Sequence, residues 1–115
     1  GVLVNRLDEG DPPGDFVTPA AWRNGPVTLA ISAGSAALSA AIRDDLVSMI
    51  DNRQLRMAEV MIELRPRIRD SGLDAPTRAA IFRDLAGDEA LDALAADGEA
   101  GLQSWLAQRY PDLKL

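Results

Sequence analysis

Cysteine and histidine are both absent from the 115 residues. Without cysteine there is no disulfide, thiolate zinc site, iron–sulfur cluster or cysteine nucleophile. Without histidine there is no Ser-His-Asp triad and no histidine-ligated metal. One lysine is present, Lys114, beside the last residue. Aromatic residues make up 4%. Trp22, Trp105, Phe16, Phe82 and Tyr110 are too dispersed to form a stacking platform for bases. No apolar run approaches the roughly 20 residues of a membrane span. The longest, near "VTLAISAGSAALSAAI", is interrupted by serines and a glycine. No basic-plus-apolar secretory signal opens the chain, so the expectation is a cytoplasmic protein with no membrane partner. Positive charge is scarce as well: 12 basic against 18 acidic residues give −6. That balance excludes a general nucleic-acid binder, which needs a basic face for phosphates. Any chemistry must rest on a carboxylate, or on a lysine, tyrosine or arginine whose pKa has moved.

What is present reads as globular. Hydrophobic residues make up 47% and charged residues 26%, ordinary values for a folded domain. The chain changes character near residue 34. Residues 1–33 are rich in glycine and proline and hold about three short β-prone runs: Val2–Asn5, Phe16–Ala20 and Val27–Ser32. The first lacks polar alternation, as a strand buried on both faces would. Between the first two lies the loop "NRLDEGDPPGD". Arg23–Pro26, "RNGP", reads as a tight turn on its Asn-Gly pair.

From residue 35 onward the period is helical. Leu38, Ile42, Leu46, Met49 and Ile50 form an amphipathic stripe. A second helix is expected over Asn52–Asp70, with Leu55, Met57, Val60, Met61, Leu64 and Ile68 inward and Pro66 kinking or ending it. Asp74 is a plausible N-cap with Pro76 in the next first turn. Gly87 ends that short helix. "DEALDALAADG" and "EAGLQSWLAQRY" complete a helical array, closed by Gly98 and Pro111.

Three features carry possible chemistry, and each has a plainer explanation. The acidic loop holds Asp8, Glu9, Asp11 and Asp15. It reads as a solvated turn, or as the carrier of a general base at the carboxyl end of a parallel strand, with Asp8 the natural candidate. The spacing rules out a calcium loop. "ISAGSAAL" (Ile31–Leu38) is a strand-to-helix turn. Ser35 caps the following helix, or the free N–H groups hold an anion. Arg53, Arg56, Arg65, Arg67 and Arg69 crowd one helix beside Glu59 and Glu63. They form a solvated, salt-bridged face or a strip for a polyanion.

Taken in order, "VNRLD" (Val4–Asp8), "DFVTPA" (Asp15–Ala20), "RNGPVTLAIS" (Arg23–Ser32) and "AGSAALSAAIRDDL" (Ala33–Leu46) resemble the siroheme synthase family, precorrin-2 dehydrogenases that often also act as sirohydrochlorin ferrochelatases. The family turn reads S-x-G-G-x-S-P. Here Ser35 stands at the second glycine and Leu38 at the proline. The family's G-x-G-x-x-G is not in the chain. The resemblance implies that such a unit lies upstream, roughly 80–90 residues away, and that this chain is a C-terminal fragment.

The implied fold is α+β: the end of a Rossmann-type α/β domain with about three short strands, then a dimerisation region and a small C-terminal helical region. On that reading residues 1–33 hold the last strand of the NAD-binding domain and the strands of the dimerisation region. Residues 34–70 are dimerisation helices, and 71–115 are the C-terminal helical region. The implied reaction is NAD-dependent oxidation of precorrin-2 to sirohydrochlorin, with Fe²⁺ as a further substrate in bifunctional members. NAD would be held mainly by the upstream half. Asp8 matches the family's catalytic aspartate, and Ser32 matches its active-site serine at the strand end. Arg23 and Asn24 flank that region and, on charge, are candidates to meet the carboxylates of a tetrapyrrole. The family is homodimeric, and the apolar faces from Leu38 to Ile68 are the expected dimer surface. The competing class is a non-catalytic α+β dimerisation or adaptor module.

Overall fold

Residues 19–115 are described by the structure, a computed structural model. The expected strand Val2–Asn5, the acidic loop with Asp8, and Phe16–Thr18 lie outside the described residues. Among the described residues the fold is α+β, with a two-stranded antiparallel sheet and four helices. The chain divides at Ile50–Asp51 into two compact units. The helix after Asp51 therefore groups with the C-terminal helices and not with the helix before it.

The first unit contains β1 (Ala20–Asn24), β2 (Val27–Ile31) and α1 (Ala36–Ser48). Arg23 and Asn24 belong to β1, so the expected turn over Arg23–Pro26 shrinks to Gly25 and Pro26; of the strand expected at Phe16–Ala20, Ala20 opens β1 and Phe16–Thr18 lie outside the described residues. Proline explains the shift. Were Asn24 and Gly25 the central pair, Pro26 would have to donate the hydrogen bond that closes the hairpin, and it has no N–H. Moving the loop by one residue makes Asn24 and Val27 the closing pair. Gly25 then takes φ +55 ahead of a proline with fixed negative φ, the pattern of a type II′ hairpin turn. Trp22 faces Leu29 across the ladder. Such an aromatic–aliphatic pair stabilises a ladder by about 0.2–1 kcal/mol.

The α1 helix packs on both strands. The Arg43 guanidinium donates to the Ala21 carbonyl at 3.4 Å, so the side of α1 that carries Arg43 is turned to the hairpin. The apolar stripe is not the buried side. Leu38 is 51% exposed and Met49 76%. Within this unit the one fully buried side chain among the described residues is Ser39.

The second unit contains α2 (Asn52–Arg69), α3 (Ala75–Leu85) and α4 (Asp88–Arg109). Asp51 caps α2 by accepting the Arg53 N–H at 2.8 Å. Asp74 caps α3 by accepting the Thr77 N–H at 2.9 Å, with Pro76 in the first turn. Met57, Leu64 and Ile68 of α2 pack with Ile81 and Leu85 of α3, with Ala90, Leu91, Leu94, Leu102 and Leu106 of α4, and with Leu113 beyond it. The apolar face of α2 is thus used inside the chain, which removes it from the expected dimer surface.

Pro66 does not end α2, which runs on to Arg69. A mid-helix proline costs about 3 kcal/mol. Burying Leu64 and Ile68 on either side of it contributes roughly 1.5–3 kcal/mol each, enough to carry the helix through. At Gly98 α4 breaks, with φ +70 and ψ −160, a conformation closed to side chains with a Cβ. The two helical segments expected on either side of Gly98 are its two halves. Among the described residues no helix is long and apolar enough to cross a membrane.

Candidate functional site

The strand-to-helix turn of the first unit is built from serines. Ser35 is the N-cap of α1, and its hydroxyl accepts the Leu38 N–H at 3.1 Å. The buried Ser39 hydroxyl donates to the Ser35 carbonyl at 2.7 Å and accepts the Ala33 N–H at 2.9 Å. Gly34 takes φ +84 with nothing near where a Cβ would sit, so backbone conformation rather than space calls for glycine there. The capping role of Ser35 is therefore realised. The Ala33 N–H is already satisfied, and the turn holds one glycine. A single glycine is not the G-x-G-x-x-G turn that cradles a dinucleotide's pyrophosphate. The serine turn thus does not carry the glycine pattern of an NAD site.

Ser32 directly follows β2 and is exposed, at the mouth of this turn. Arg23 and Asn24 are also exposed. They sit at the other end of the hairpin, opposite Thr28 and Val27. At roughly 3.4 Å per residue, Ser32 and Asn24 lie about 17 Å apart along the ladder. The hairpin does not bring the two groups together. The Arg23 Nε donates to the Thr28 hydroxyl across the strands at 3.2 Å. Asp8 lies outside the described residues.

The second unit holds two ionic clusters. Arg53 at the start of α2 meets Asp51, Asp88 and Asp92 at 2.6, 3.2 and 2.5 Å. Its hydrogen bonds, first to Asp51 and then to Asp92, hold the guanidinium protonated more firmly than usual. In return the Arg53 side chain and N–H hold Asp51 below the usual carboxylate range. The second cluster joins α3 to both ends of α4. The Tyr110 hydroxyl donates to Asp84. Arg109 reaches Asp84 at 3.3 Å and Glu89 at 3.2 Å, and lies 4.9 Å from the centre of the Trp105 ring. The hydrogen bond from Tyr110 lowers the Asp84 pKa, with help from Arg109. The same bond, together with burial, raises that of Tyr110. Asp74 is lowered by its capping bonds from Thr77.

Each of these five perturbed groups moves away from neutrality. That suits ion pairs and caps rather than proton transfer near pH 7. Arg53 thus belongs to a structural network rather than to a strip for a polyanion. A groove of about 400 Å³ between α2 and α4 is lined by Arg56, Glu59, Val60, Ile62, Glu63 and Glu99. Among the described residues no three acidic side chains converge as metal ligands would.

Ser39 and the Asp84–Tyr110 pair escaped the sequence reading. A serine four residues after an N-cap serine is a weak pointer to the first. No local spacing points to the second, whose partners are 26 residues apart. No protein-family model matches the chain, and no curated protein aligns with it.

Proposed function

We propose that this chain is the dimerisation and substrate-facing part of a cytoplasmic siroheme-biosynthesis enzyme that oxidises precorrin-2 to sirohydrochlorin. NAD, held by a part of the enzyme other than the described residues, would supply the hydride acceptor. In a bifunctional enzyme the same site then exchanges two pyrrole protons for Fe²⁺. The observation that carries this reading is the ordered series Val4–Asp8, Asp15–Ala20, Arg23–Ser32 and Ala33–Leu46. Asp8 is the proton acceptor, since hydride loss from the macrocycle is accompanied by loss of a proton. A carboxylate is the natural base in a chain without histidine. Ser32 touches the substrate, and Arg23 and Asn24 meet its carboxylates. Because the hairpin separates these groups, they contact different edges of the macrocycle or belong to different subunits' sites.

The homodimer has its own physical support. Leu38, Ile42, Leu46 and Met49 fall on one side of α1, and three of the four are exposed. A unit this small without a disulfide needs a second surface to bury enough apolar area. In sedimentation a dimer of the 12.3 kDa chain is expected, and Leu46→Asp weakens it. A monomer at micromolar concentration contradicts the dimer.

The activity is tested in the complete gene product. Asp8→Asn is nearly isosteric but cannot accept a proton, so precorrin-2 oxidation falls about 10²–10⁴-fold while NAD binding persists. Glu9→Gln is the control and retains activity. Unimpaired turnover in Asp8→Asn removes the acid–base role from this loop. A second reading, a non-catalytic dimerisation or adaptor module, is favoured by the separation of Ser32 from Arg23 and Asn24. A gene product that dimerises but does not oxidise precorrin-2 selects it.

A further inference from the structure

We draw no further inference here: the strongest candidate, the groove between α2 and α4 lined by Val60, Ile62, Glu59, Glu63 and Glu99, carries nothing because nothing in the structure shows what covers it.

Discussion

Among the described residues, all eleven buried apolar side chains lie between Met57 and Leu113, whereas the hairpin and α1 bury a single serine. Both units contain regular, well-capped elements. They differ in where the apolar residues go. In α2 the apolar face meets α3 and α4, so local periodicity and tertiary burial agree. In α1 the same kind of periodicity leaves Leu38, Leu46 and Met49 in water. An amphipathic stripe therefore says that a surface must be covered, but not by what.

The largest test of this contrast is truncation in each unit. Leu106→Ala removes a side chain with no exposed surface and is expected to cost about 2–5 kcal/mol, read as a lower urea midpoint. Leu46→Ala is expected to leave the second unit's midpoint unchanged and to act on self-association. Equal losses of midpoint in the two variants would erase the contrast.

A smaller effect tests how tightly the second unit is specified. Gly98→Ala forces a Cβ into a backbone region reserved for glycine, at a cost of about 1–3 kcal/mol. A Cβ there meets the Arg56 guanidinium at no closer than 3.8 Å, so the penalty is conformational rather than steric. Gly101→Ala differs in mechanism, since its Cβ falls 2.3 Å from that of Asp97. Thermal denaturation of both variants checks this, and an unchanged Gly98→Ala shows that α4 straightens at no cost.

The smallest expected effect depends on pH. The folded-state pKa of Asp84 is depressed, chiefly by Tyr110. Its contribution is therefore fully present above the unfolded value of about 3.9 and is lost as pH falls through the folded value. Wild type and Asp84→Asn should differ most in urea midpoint near neutrality and converge in acid. A difference that grows on acidification would contradict the assigned ion pair.

Legibility followed the range of the interaction. The caps Ser35 and Asp74, the first-turn Pro76 and the stop at Gly98 are local devices, and the sequence shows them. The hairpin was legible in its composition but one residue out at its turn. The Asn-Gly signal is local, whereas the need for a donor at Val27 arises only when two strands pair. Pro66 left two outcomes open, a kink or an end, because its cost is local and the burial that carries the helix on to Arg69 is not. For the candidate site, the sequence placed Ser32, Arg23 and Asn24 within ten residues. Pairing in an antiparallel ladder set Ser32 at the opposite end from the other two.

By itself the sequence determined the helical remainder, the break at Gly98, the caps Ser35 and Asp74, and the chemistry denied to a chain without cysteine or histidine. These follow from backbone conformation and side-chain chemistry at single positions. Only the tertiary structure decided that α2 buries its stripe and α1 does not, that the units part at Ile50–Asp51, and that Asp84, Arg109 and Tyr110 meet. Those outcomes depend on which surfaces approach one another in space, and a periodic pattern specifies the face of a helix without specifying its neighbour.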